Sequence, residues 1–173
     1  ISTNLKSSSR LVENKESKFF IIEADEYDTA FFDKRSKFIH YHPRTLVMNN
    51  LEFDHADIFD NLEHIKKHFH HMIRIMTENG REISNEKSKA LDEVIKFGIW
   101  SELEFFNDDE GWSYQWVDKS NSLNISYKNK NQGSIDWELI GDHNASNALG
   151  AIAAANHIGI PTSKSIEALK LFR

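Results

Sequence analysis

Two short runs of largely apolar residues, 19–22 (Phe-Phe-Ile-Ile) and 45–48 (Thr-Leu-Val-Met), constrain the fold of this chain more than any other feature. Unbroken hydrophobicity of that length suits a strand buried on both faces, the habit of parallel sheets covered by helices. Each run hands over to polar residues: the first to Glu23-Ala24-Asp25-Glu26, the second to Asn49-Asn50. In open α/β sheets, ligand groups gather just beyond the carboxyl ends of the strands. These two clusters are therefore the first place to look for chemistry.

The pattern turns helical over 60–77, where Leu62, Ile65, Phe69, Met72, Ile73 and Met76 form one apolar stripe. Asn79-Gly80 stops it. A short strand near 82–84 and a helix over 85–97 follow. Between 100 and 139 the period falls to two, in Trp112, Tyr114 and Trp116, in Leu123, Ile125 and Tyr127, and in Ile135, Trp137 and Leu139. That alternation predicts an antiparallel meander, read as a small subsheet beside the parallel one. Helical character returns at His143, is broken by Gly159-Ile160-Pro161, and resumes over 163–172. The expected class is α/β: a largely parallel sheet flanked by helices, with a small antiparallel subsheet.

Composition narrows the function. A net charge of -6 with 21 Lys plus Arg argues against a nucleic-acid groove or an anionic membrane surface. No apolar run approaches the roughly 18 residues of a spanning helix. Cysteine is absent, which excludes disulfides, thiolate metal sites and cysteine nucleophiles and suits the cytoplasm. The chain starts at Ile1 in a polar stretch and ends at Arg173 inside a helical pattern, so it reads as a piece of a longer polypeptide.

Three local features carry chemistry. Residues 23–28 place four carboxylates in six positions, a cluster that repels itself unless cations or donors sit nearby, and whose hard oxygens suit Mg²⁺. A solvated acidic loop is the plainer alternative. Residues 50–57 (Asn-Leu-Glu-Phe-Asp-His-Ala-Asp) offer His55 as a neutral imidazole ligand that Asp54 or Asp57 could orient. Asn144 and Asn147 lie three apart at the start of a helix, where both carboxamides can face one side and supply the donor and acceptor that an adenine edge requires. Ordinary helix capping by Asp142 or Asn144 competes with that reading.

In this order, Glu-Ala-Asp-Glu after a strand, Asn-x-x-x-x-His with Asp before the His, and His-Asn-x-x-Asn opening an Ala-rich helix resemble the Mur ligase family. The stretch from Glu23 to Asp57, with Tyr27 to Phe38 inside it, is most similar to the branch that joins UDP-N-acetylmuramate to a recovered L-Ala-γ-D-Glu-meso-diaminopimelate tripeptide. The resemblance implies a cytoplasmic ATP-dependent ligase of cell-wall recycling. It further implies that Glu23 and His55 bind Mg²⁺ and serve catalysis, that Asn144 and Asn147 meet the adenine of ATP, and that Asn50 shapes a substrate loop. Residues 1–160 would be part of the central ATP-binding domain, and 161–173 a terminal helix leading toward a further domain.

The family's Gly-x-x-x-x-Gly-Lys phosphate loop has no counterpart in this sequence. The chain alone is therefore expected to be inactive, its partners being the amino- and carboxy-terminal domains of the same polypeptide, with neither nucleic acid nor membrane among them. Three other readings stay open. One is the sibling that adds L-alanine to the same acceptor. Another is a metal-dependent phosphohydrolase using Glu23, Asp25 and His55, which leaves Asn144 and Asn147 unexplained. The last is a non-catalytic piece with exposed apolar docking surface. His64, His68 and His71, within about 60° on one helix face, read as a solvated face. Trp112, Tyr114 and Trp116 read as core, and Lys34, Arg35 and Lys37 as a surface helix end.

Overall fold

The computed structural model describes residues 18–24, 27–52, 61–117 and 121–172. The order of elements is β1 (Asp28–Ala30), β2 (Asp33–Ser36), a short 3-10 turn (Lys37–His40), β3 (Thr45–Met48), α1 (Leu62–Arg74), β4 (Arg81–Asn85), α2 (Lys89–Lys96), β5 (Glu102–Phe106), β6 (Trp112–Trp116), β7 (Ser122–Tyr127), β8 (Lys130–Asp136), α3 (Asp142–His157) and α4 (Thr162–Lys170). Strands β3 to β8 form one sheet in chain order. The first three neighbour pairs are parallel and the last two antiparallel. The meander therefore extends the parallel sheet instead of standing beside it. A separate two-stranded sheet, β1–β2, occupies the stretch read as a helix end. There Asp33 accepts both Nε and Nη2 of Arg35, at 2.8 and 2.9 Å, and those hydrogen bonds hold its carboxyl well below the usual range.

Alternation along β3 shows how the sheet is covered. Leu46 and Met48 are buried with Ile65, Met72 and Ile73 of α1 and Leu91 and Val94 of α2. The intervening Val47 faces α3, where a Cβ on Gly150 would come within 3.0 Å of its Cγ1. On that second face Ala145, Ala148, Leu149 and Ile152 pack with Ile83, Phe106, Trp112, Leu123 and Ile125. Small residues on α3 permit this close approach, as the Ala-rich sequence predicts. Ile166 of α4 is buried in the same cluster.

Segment 19–22 departs from expectation. It forms no strand, and its side chains are 47–90% exposed. Hydrophobicity encodes a preference for burial, but a strand also needs a hydrogen-bonding neighbour. No strand among the described residues pairs with this segment.

The α1 stripe forms as predicted, with Asn61 capping the helix by accepting the amide of His64 at 2.9 Å. Its opposite face is not simply solvated. His64 meets His68 edge to face and His68 lies tilted against His71, with ring centroids 4.9 and 6.1 Å apart, and His68 Nδ1 lies 2.6 Å from Ser36 Oγ of β2. Burial, followed by the neighbouring imidazoles, lowers the pKa of His68.

One buried group breaks the apolar pattern. Glu82, on the interior strand β4, is 0% exposed and stands in register between Leu46 and Leu103. Neither carboxyl oxygen has a hydrogen-bond partner among the described residues. Burial pushes its pKa up to about 7.

Candidate functional site

Three of the parallel strands, β3, β4 and β5, end on or just before an asparagine. Asn49 follows Met48 of β3, Asn85 is the last residue of β4, and Asn107 follows Phe106 of β5. Parallel alignment brings these ends to one edge of the sheet, and α3 begins at the same edge. The carboxamides meet there. Asn107 Nδ2 donates to Asn85 Oδ1 at 2.8 Å and to Ser146 Oγ of α3 at 2.9 Å. Asn85 Nδ2 donates to Asn49 Oδ1 at 3.4 Å, and Asn49 Nδ2 to Asn147 Oδ1. Asn147 Nδ2 then reaches His143 Nε2 at 3.1 Å, one turn back along the helix. The result is a polar patch in the crevice where α/β sheets hold their ligands.

The start of α3 is fixed from its other side as well. Trp116 Nε1 donates to Asp142 Oδ1 at 3.0 Å, and the Tyr114 hydroxyl bonds the same carboxylate. These two bonds, Trp116 first, hold the Asp142 carboxyl below its ordinary range. Burial, with Asp142 adding to it, pushes the Tyr114 hydroxyl up to about 12. Lys87 Nζ stands 5.7 Å from the centre of the Tyr114 ring. Of the three aromatics read as core, Trp112 is buried, while Tyr114 and Trp116 are only partly buried and position the helix. Asp142 does not cap α3: the N-cap residue is Gly141, with no side-chain capping bond.

The predicted site residues separate under this geometry. Asn147 is exposed and sits in the carboxamide patch. Asn144 is half-buried and donates Nδ2 to the Ile140 carbonyl at 2.8 Å, so part of its amide is spent on the loop before the helix. Asn50 is exposed beside Asn49. Glu23 is exposed in a stretch without regular structure. His55, with Asp25, Glu26, Asp54 and Asp57, lies outside the described residues. Among the described residues no three His, Asp or Glu side chains converge on a metal position. No helix among them is long and apolar enough to cross a membrane.

Asn85, Asn107 and Ser146 were not legible as site residues. The available signal was the repetition itself, an asparagine closing each apolar strand.

The profile of the Mur ligase middle domain matches residues 2–155. The chain belongs to the Mur ligase family. Among Mur ligases, it is 48% identical over 158 residues to the UDP-N-acetylmuramate–L-alanyl-gamma-D-glutamyl-meso-2,6-diaminoheptandioate ligase of Escherichia coli K12, covering 91% of this chain and 35% of that protein. It is 29% identical over 160 residues to the UDP-N-acetylmuramate–L-alanine ligase of Desulfitobacterium hafniense, covering 89% of this chain and 33% of that protein. The crystal structure of the UDP-N-acetylmuramate:L-alanyl-gamma-D-glutamyl-meso-diaminopimelate ligase from Neisseria meningitides superposes with a TM-score of 0.93 at 43% identity, over 100% of this chain and 55% of that one. The chain thus spans about a third of the length of the curated relatives it matches.

Proposed function

We propose that this chain is the central, nucleotide-binding part of an ATP-dependent ligase that joins UDP-N-acetylmuramate to L-alanyl-γ-D-glutamyl-meso-diaminopimelate. The observation that carries the reading is the contrast in identity, 48% to a tripeptide ligase against 29% to an L-alanine ligase, over nearly the same span. Residues 1–160 belong to the ATP-binding domain, and 161–173 lead toward a further domain. The polypeptide acts in the cytoplasm, and the chain alone is inactive because it has no phosphate loop.

The reaction couples two transfers. The muramate carboxylate attacks the γ-phosphorus of ATP, releasing ADP and forming an acyl phosphate. The peptide amine then attacks the acyl carbon, phosphate leaves, and an amide forms. Such chemistry depends on positioning and on neutralising phosphate charge. Mg²⁺ would supply that neutralisation, with Glu23 and His55 as its ligands on this chain. The adenine lies against the start of α3, where Asn147 faces solvent and Asn144 supports the approach. Asn50 shapes the substrate loop next to it.

Muramate labelled with heavy oxygen in its carboxylate tests the route. One label should pass to the released phosphate for each amide formed. Phosphate carrying solvent oxygen instead, without amide product, would assign the phosphohydrolase reading.

A further inference from the structure

The carboxamide chain at the strand ends runs in one direction. Asn107 donates to Asn85, Asn85 to Asn49, Asn49 to Asn147, and Asn147 meets the imidazole of His143. Each amide offers NH₂ forward and carbonyl backward. A half-turn of any one of them would set oxygen against oxygen or NH₂ against NH₂, so the orientations are coupled. The head of the chain is pinned twice. Asn107 also donates to Ser146 Oγ at 2.9 Å, and Asn85 Oδ1 also accepts the Lys87 amide at 3.1 Å. The Asn107 backbone lies in the left-handed region, at φ +58, which asparagine tolerates better than most residues.

The tail of the chain is Asn147, exposed on the first turns of α3. With its carbonyl turned back to Asn49 and one N–H directed at His143 Nε2, its second N–H is the group it turns outward. We propose that Asn49, Asn85 and Asn107 are positioning residues: the relay they form fixes Asn147 as a donor toward an acceptor atom of the bound base, and so sets base selectivity. This rests on the reading above that Asn147 meets the nucleotide base. The role assigned to the three is to hold Asn147, not to contact the base. They act through the direction in which each amide is held.

Asn85→Asp separates direction from mere support. The carboxylate keeps the acceptor atoms used by Asn107 and the Lys87 amide but cannot donate to Asn49. Asn49 must then turn to donate to it, and Asn147 in turn presents its carbonyl outward. In the full-length polypeptide that carries this chain, kcat/KM is measured with ATP and with ITP. ITP replaces the adenine amino group by a carbonyl and its ring acceptor by a donor. Asn85→Asp is expected to change the ATP-to-ITP ratio by roughly tenfold or more, the scale of a well-made base contact. Repulsion between the new carboxylate and the triphosphate acts on both nucleotides alike and leaves the ratio unchanged. Asn107→Ala, which frees the head of the relay, should raise the KM for ATP with kcat held and also erode the ratio. It carries the test if Asn85→Asp does not fold. Asn147→Ala tells the two levels apart. If it raises the KM for ATP while both relay variants keep the wild-type ratio, the relay is overturned and the base contact stands. If Asn147→Ala leaves the KM for ATP unchanged, the base contact falls and the relay with it.

Discussion

Glu82 gives the chain a stability that should depend on pH in an unusual direction. Its carboxyl is fully buried between Leu46 and Leu103 without a hydrogen-bond partner among the described residues, and its pKa rises from 4.5 to about 7. The folded protein therefore holds a proton that the unfolded chain releases in the window between those values. Where the native state binds more protons, stability falls as pH rises. Glu82 contributes fully below pH 4.5, loses its contribution through pH about 7, and changes little beyond. At about 1.4 kcal/mol per tenfold change in proton affinity, the loss is about 3 kcal/mol. Urea unfolding of wild type and Glu82→Leu, followed by tryptophan fluorescence from about pH 4.5 to about pH 8, isolates the effect, because other titrating groups cancel in the difference. The leucine variant should gain about 3 kcal/mol on wild type across that range, since a buried apolar side chain has no charge to desolvate. A difference that stays constant within the roughly 10–15% error of extrapolation would refute the argument.

Further outcomes follow from other positions. A Cβ at Gly111 would stand 2.2 Å from the Phe105 carbonyl oxygen, where β5 hands over to β6, so Gly111→Ala should cost about 3 kcal/mol or more in chemical unfolding; an unchanged midpoint would show that the turn relaxes cheaply. Tyr114 should ionise near 12 in an ultraviolet titration, and Asp142→Asn should lower that value only in part, because burial is the larger cause; full return to the ordinary phenol value would reverse that ranking. In the full-length polypeptide, Glu23→Ala or His55→Ala should lower ligase turnover by about a hundredfold or more while circular dichroism is unchanged. Near-normal turnover in either would remove that residue from the site.

The elements most legible in sequence were those whose pattern and neighbours agree. The stripe Leu62, Ile65, Phe69, Met72 and Ile73 appears as α1, with Met76 just past its end, and the Ala-rich run from His143 appears as α3, because each buries its face against strands present in the fold. The run 19–22 has the same hydrophobic signal without a neighbouring strand among the described residues, so pattern alone misplaced it. The small sheet at β1–β2 was hidden because Asp33, Lys34 and Arg35 carry no apolar period, and its pairing is reinforced by polar contacts between the strands, Lys34 Nζ with Asp28 and Thr29 Oγ1 with the Arg35 carbonyl. Asn147, proposed as a base contact, stood out in the sequence through its spacing from Asn144. The relay behind it did not: its bonds join residues 22, 36 and 98 positions apart, and a single asparagine after a strand reads as an ordinary turn residue. Only the convergence of three parallel strand ends makes those amides neighbours.

The most direct test of the account is phosphate release by the full-length polypeptide with ATP, Mg²⁺ and UDP-N-acetylmuramate, supplied with either the L-Ala-γ-D-Glu-meso-diaminopimelate tripeptide or L-alanine. Turnover with the tripeptide alone, giving a product of the joined mass, is the predicted result. Turnover with L-alanine alone, or release with neither, would contradict it.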